Sequence, residues 1–148
     1  MSRATALMAL TLLLAPRLAA QTAADTAAIR GAALDYAEGW YTADADRMAR
    51  ALSPELVKRV VLRDTTTAHD VIQTMGKSVL VNNTRRAAGH QPPAAEQRRD
   101  VRILDIYRGV AVVRVTMSGW VDFLQLARVD GQWVIVNVLW QPAEGPAH

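Results

Sequence analysis

Asp122 and Asn137 are polar residues set into strand-like stretches that otherwise build one apolar layer, so they are where chemistry is first sought. A carboxylate in such a layer costs several kcal/mol unless it is paired, or its pKa rises until it is neutral. Two neighbouring polar groups in an apolar pocket can orient a ligand or move a proton. The structural alternative is a buried Asp122 satisfied by Tyr36, Trp40 or a helix-end amide. Tyr36, Trp40, Trp120, Trp133 and Trp140 supply aromatic surface whose polar tips need partners when buried, which places such residues at pocket borders as well as in cores. The candidate pocket is therefore Tyr36, Trp40, Met75, Trp120, Asp122, Leu124 and Asn137, with Asp122 as the candidate acid–base. Other chemistries lack their residues. The chain has no cysteine, which excludes disulfides, thiolate metal sites and cysteine nucleophiles. His69 and His90 have no ligand at metal spacing, so no metal or cofactor is expected. No phosphate-binding glycine loop and no nucleophile elbow occurs.

The elements that must position these residues fall into a helical first half and a strand-rich second half, the order of an α+β fold. Strands are expected at about 100–107, 110–117, 120–129 and 132–140. Arg108-Gly109, Ser118-Gly119 and Asp130-Gly131 separate them as two-residue turns, and Asp-Gly is a strong hairpin signal. A meander follows. With no bulge, one face holds Leu104, Ile106, Val113, Met117, Trp120, Asp122, Leu124, Trp133, Ile135, Asn137 and Leu139, and the other holds Ile103, Asp105, Tyr107, Arg114, Phe123, Gln125, Val138 and Trp140. In that register Asn137 opposes Leu124, one step from Asp122, and Asp105 pairs diagonally with Arg114. Helices should cover the first face. The second is too apolar for full solvation, which suggests a second copy of the chain packed there as a homodimer.

Upstream, Asp25 or Thr26 caps a helix to about Tyr41, with Ile29, Ala33, Tyr36, Ala37 and Trp40 as its stripe. A short helix covers about 44–52, with Met48 and Leu52 facing inward. Ser53-Pro54-Glu55 restarts the chain as a helix or turn through Val61. Thr65-Thr66-Thr67 caps a longer helix from about Ala68 to Ala88, with Val71, Ile72, Met75, Val79 and Leu80 inward and Gly89 at its end.

The 148 residues suit one domain. Residues 1–20 read as a signal peptide: Arg3, the apolar run from Ala6 to Ala15, then small residues before cleavage after Ala20 or Ala24. The run falls short of the ~20 residues needed to span a bilayer. The expectation is a single domain over 21–148, secreted or periplasmic, with no membrane attachment after cleavage. Losing Arg3 and Arg17 lowers Lys+Arg from 17 to 15 against 14 acidic residues, so the mature charge is near +1. The basic pairs Arg85-Arg86 and Arg98-Arg99 lack interleaved aromatics, which argues against nucleic-acid binding.

The segments LDYAEGWYTADADRMARALSPELVKRVV (34–61) and WVDFLQLARVDGQWVIVNVLWQP (120–142) resemble the putative lumazine-binding (SnoaL-like) family of the nuclear transport factor 2-like superfamily. The phrases GWY, DADRM, VDFL and IVNVLW carry the likeness, and the two stretches lie at opposite ends of the domain. The resemblance implies a cone: helices against a strongly bent sheet, with a cavity between. It implies a superfamily of ketosteroid isomerases, polyketide cyclases, dehydratases and non-catalytic binding domains. In that family pattern one histidine stands where this chain has Ser53 and another near Gln125; both are absent here, which counts against acid–base chemistry at those two sites. Isomerase-like members set a Tyr and carboxylates in the cone, roles that Tyr36 and Asp122 would take. The functional expectation is a small-ligand-binding domain for an apolar or aromatic molecule. The alternatives are an isomerase, dehydratase or hydrolase using Asp122, and a structural or dimerisation module whose cone its own side chains fill.

Overall fold

The computed structural model describes residues 5–143, with side chains from Thr22 onward; the signal-peptide reading of residues 1–20 therefore lies outside the described side chains. The elements are α1 (Thr5–Thr42), α2 (Ala45–Ala51), β1 (Leu52–Arg63), β2 (Asp70–Gly76), α3 (Lys77–Arg86), a 3-10 turn (Ala94–Glu96), β3 (Arg99–Tyr107), β4 (Val110–Met117), β5 (Trp120–Val129) and β6 (Gln132–Pro142). The six strands form one curled, unclosed sheet in the order β2-β1-β6-β5-β4-β3, and the helices pack on its inner face. β1 runs parallel to β6, and every other neighbouring pair is antiparallel. Among the described residues no helix is long and apolar enough to cross a membrane.

The stripe of α1 is buried as its spacing demands: Ile29, Ala33, Tyr36 and Ala37 face the sheet, with Trp40 half-buried beside them. The chain then reverses tightly. Ala43 takes a positive φ of 55°, Asp44 caps α2 by accepting from Arg47 N at 2.8 Å, and Asp44 N donates back to Gly39 O at 2.9 Å. This reversal needs glycine at 39, because a Cβ there would stand 2.9 Å from Met48 N, a backbone atom. Overpacking costs about 1–3 kcal/mol, whereas alanine regains only about 1 kcal/mol of helix propensity over glycine. Gly39→Ala should therefore lower the thermal midpoint, and Gly39→Val should lower it further.

All three two-residue turns of the meander form, with Tyr107, Met117 and Val129 opposite Val110, Trp120 and Gln132. Asp130 and Gly131 both take positive φ, 48° and 82°, as a type I′ turn requires.

Two upstream helices are corrected. The stretch from Ser53 to Val61 belongs to β1, and Ser53 Oγ accepts from Glu55 N at 3.1 Å within an irregular start to the strand. Its β-branched Val57, Val60 and Val61 suit a pleated surface, and pairing with both β2 and β6 outweighs the local helix-start signal. The expected helix over 68–88 divides in two. Asp64 Oδ1 accepts from Thr66 N and Thr67 N to close a hairpin, residues 70–76 pair with β1 as an edge strand, and the helix begins only at Lys77. Ile72 is consequently 66% exposed rather than core.

Two bulges correct the face assignment. On β6 the partners pass from Leu126↔Ile135 to Gln125↔Asn137, leaving Val136 extra. Everything beyond it changes side: Val138 and Trp140 turn inward, Asn137 and Leu139 outward. On β3 the bulge falls at Leu104, so Ile103 packs inward opposite Val113 while Leu104 is exposed. The same bulge sets Asp105 opposite Val112, and Asp105 and Arg114 form no ion pair; Arg114 Nε has no partner. Bulges of this kind bend and twist a strand, which suits a curled sheet.

Candidate functional site

β1 alternates from Leu56 onward, with Leu56, Lys58 and Val60 buried on the inner face. Lys58 stands beside Val138 on β6, while Asp122 on β5 opposes Trp140 on β6. α1 lowers Tyr36 onto both. Lys58 Nζ donates to Tyr36 Oη at 2.5 Å and to Asp122 Oδ1 at 2.9 Å, and Tyr36 Oη donates to the same Oδ1 at 3.1 Å. All three residues are buried, Lys58 with 7% of its surface exposed and Asp122 with none. The ammonium also lies 5.0 Å from the Trp140 ring centroid and 5.2 Å from that of Tyr36, within cation–π range.

Beside this cluster is a partly enclosed cavity of about 130 Å³. Its walls are Tyr36 and Trp40 of α1, Met48 of α2, Lys58, Met75 of β2, Leu80 and Asn83 of α3, Met117, Trp120 and Trp140. The tryptophans meet edge to face, Trp40 to Trp120 at 5.7 Å and Trp120 to Trp140 at 6.4 Å between centroids. Trp120 Nε1 donates to Met117 Sδ at 3.3 Å, but Trp40 Nε1, Trp140 Nε1 and Asp122 Oδ2 are buried without a partner. Unsatisfied buried groups are few in folded proteins. Three gather at this end of the cone.

Burial sets the protonation behaviour. Desolvation holds the Asp122 carboxyl above the usual carboxylate value, opposed by the attraction and hydrogen bonds of Lys58 and Tyr36. Desolvation likewise lowers the Lys58 ammonium from its ordinary 10.5, opposed by Asp122. Each group is pushed toward its neutral form by burial and drawn back toward its charged form by the other. Tyr36 is raised well above 10.0, first by burial and then by the charge of Asp122. A raised folded-state value contributes stability that is fully present below the unfolded 10.0 and is lost as pH climbs above it. The stability difference between wild type and Tyr36→Phe is therefore expected to narrow as pH rises past 10.0, followed by guanidinium denaturation at each pH.

Of the residues expected from sequence, Tyr36, Trp40, Met75 and Trp120 line the cavity. Asp122 lies behind its wall, joined to it through Lys58 and Tyr36. Leu124 is fully buried in the core and is not on the wall. Asn137 is corrected: the bulge at Val136 places it on the outer face, where it accepts from Arg59 Nη1 at 2.6 Å and donates to Gln125 Oε1 at 3.1 Å. Lys58 was missed because a helix over 53–61 makes it a solvated side chain. The signal was the alternation of Leu56, Lys58 and Val60. Among the described residues no group of three or more His, Asp or Glu could hold a metal ion.

Helices laid on a curled, unclosed six-stranded sheet, with a cavity between them, make the fold seen in nuclear transport factor 2-like proteins. The sequence profile described as putative lumazine-binding matches residues 24–141, and the chain belongs to that family. Among solved structures it is similar to a nuclear transport factor 2-like protein of unknown function from Shewanella baltica, at 23% identity over 83% of this chain and 97% of that one, with a TM-score of 0.66. One of unknown function from Silicibacter pomeroyi gives 12% identity, 82% and 98% coverage, and a TM-score of 0.68. A ketosteroid isomerase-like protein from Erwinia carotovora atroseptica gives 14%, 80% and 96%, and 0.56. These likenesses show the fold. No curated protein sequence matches.

Proposed function

We propose that this chain is an exported domain that binds a small, largely apolar molecule carrying an acceptor oxygen. The supporting observation is the cavity of about 130 Å³ with Lys58 in its wall and the buried indole donors of Trp40 and Trp140 unpaired beside it. A dry apolar cavity of about 150 Å³ is enough to hold benzene, so the enclosed part suits a single ring. Lys58 and Asn83 in the wall can both donate to a ligand oxygen, which suits a carbonyl or carboxylate. Belonging to a family described as putative lumazine-binding supports small-molecule binding in the same cone.

Benzamide, a ring with one amide, is the probe. Saturable quenching of tryptophan fluorescence is expected, with Trp40, Trp120 and Trp140 on the walls as reporters. Lys58→Met should weaken it by about 10- to 100-fold, since a hydrogen bond from a charged group is worth about 1.5–3 kcal/mol. Absence of saturable binding, with no small molecule retained in native mass spectrometry, would leave a structural module instead.

Two further parts of the reading have their own support. The leader-like residues 1–20 support a secreted or periplasmic location, tested by fractionating cells that express the full chain. The outer sheet face exposes Leu104, Tyr107, Val110, Phe123 and Leu139, which supports a homodimer packed there. Sedimentation equilibrium should show a dimer that Phe123→Glu converts to monomer; a wild-type monomer at high micromolar concentration refutes it.

A further inference from the structure

We propose that Lys58 is a nucleophilic amine that forms an imine with a small aldehyde or ketone held in the cavity. The inference rests on the ligand-binding reading above and adds a covalent step to it. Three independent observations support it. The first is the use of lysine. The chain has fifteen arginines but only two lysines, Lys58 and Lys77. Arginine cannot lose its proton in a protein, whereas a buried lysine readily can. The cation facing the cavity is thus the type that can become a nucleophile.

The second observation is position. Lys58 is in the cavity wall, with its ammonium 5.2 Å and 5.0 Å from the Tyr36 and Trp140 ring centroids, so a carbonyl bound in the cavity would lie against this side chain. Lys77 offers the contrast: its Nζ donates to Leu52 O at 2.7 Å, tying the start of α3 to β1. The third is the pair of proton carriers already bonded to Lys58. Asp122 Oδ1 accepts from it, and Tyr36 Oη bridges the two.

Those bonds allow the step to balance. The ammonium passes a proton to the Asp122 carboxylate, and the neutral nitrogen attacks the carbonyl carbon as the C=O π pair moves to oxygen. A proton moves from nitrogen to that oxygen through the Tyr36 hydroxyl, giving the carbinolamine. The nitrogen pair then expels the hydroxyl, which takes the proton returned from Asp122 through Tyr36 and departs as water. The product is an iminium ion paired with the Asp122 carboxylate. One water is released, total charge is unchanged, and nothing is oxidised or reduced.

The test is reductive trapping. The folded wild-type protein is incubated with benzaldehyde, and separately with propanal, in the presence of sodium cyanoborohydride. Intact mass and peptide mapping then locate the adducts. The chain unfolded in guanidinium is the reference for intrinsic lysine reactivity. Lys58 is expected to be labelled at least about tenfold faster in the folded protein than in the unfolded chain, a small share of the gain available when a cavity holds amine and carbonyl together in reacting geometry. Lys77 should show no such gain. Benzamide, which occupies the cavity without forming an imine, should slow labelling of Lys58 and leave Lys77 unaffected. If neither aldehyde labels Lys58 while benzamide still quenches fluorescence saturably, the imine is refuted and the binding site stands. Labelling confined to Lys77 or the amino terminus also refutes it. If benzamide does not bind and Lys58 is not labelled, both readings fall.

Discussion

Asp122→Ala is expected to lower the unfolding free energy by about 3–5 kcal/mol, the usual cost of leaving one member of a buried ion pair alone. The mutation removes the acceptor of two hydrogen bonds at once. It leaves the Lys58 ammonium, 7% exposed, with only a phenol and two aromatic faces around it. Urea denaturation with an unchanged slope and a lower midpoint is the expected signature. The informative comparison is the apolar triple variant Tyr36→Phe, Lys58→Met and Asp122→Leu. Buried ion pairs replaced by packed apolar groups are commonly neutral or stabilising by about 1–4 kcal/mol. The triple variant should therefore regain most of what Asp122→Ala loses, yet bind benzamide no better than Lys58→Met and keep only the slow aldehyde trapping at Lys77 and the amino terminus. That pattern would show that folding does not require the cluster, and that its cost in desolvation is kept for the cavity. A triple variant as unstable as Asp122→Ala would make the cluster structural.

The sheet half of the fold was legible because its signals are local. Each glycine-containing turn fixes the register of the strands it joins, and strand alternation carries that register onward. Asp122 was legible for the same reason, since β5 runs without irregularity from the turn at Gly119 past position 122 against β4. Asn137 and Trp140 were not. They lie beyond Val136, and one extra residue there exchanges the faces of both. The bulge has no sequence mark, because valine is an ordinary strand residue on either side. β1 and β2 failed differently. Ser53-Pro54-Glu55 is a good helix start, and what overrides it is pairing with β6, more than 80 residues away along the chain at Leu52↔Ile135. The partner of Asp122 was hidden by this error. With 53–61 taken as a helix, the sequence offers Tyr36 or Trp40 to satisfy the carboxylate, and Tyr36 does bond to it. The lysine that decides its chemistry arrives on a strand whose existence depends on the rest of the sheet.

Leu124→Ala separates the core from the cavity, which the sequence alone merges. Leu124 has no exposed surface, lies opposite Val113 and Val138 on its two neighbouring strands, and is not in the cavity wall. Truncating it removes apolar contacts on a sheet that cannot close over the gap, and such changes cost about 2–5 kcal/mol. Melting followed by circular dichroism should show this loss. Below the new midpoint, benzamide affinity should stay within about threefold of wild type, a change of under about 0.7 kcal/mol, because no wall group has moved. Met75→Ala should do the reverse. Met75 is half-buried on the edge strand β2 and lines the cavity, so it gives up less apolar burial but widens the wall that a ring would touch. Its stability loss should be smaller than that of Leu124→Ala and its effect on benzamide larger. Opposite orderings in the two measurements would place the boundary between core and cavity between these two side chains. The same ordering in both would mean that the cone is one packed layer and that Lys58 faces no ligand.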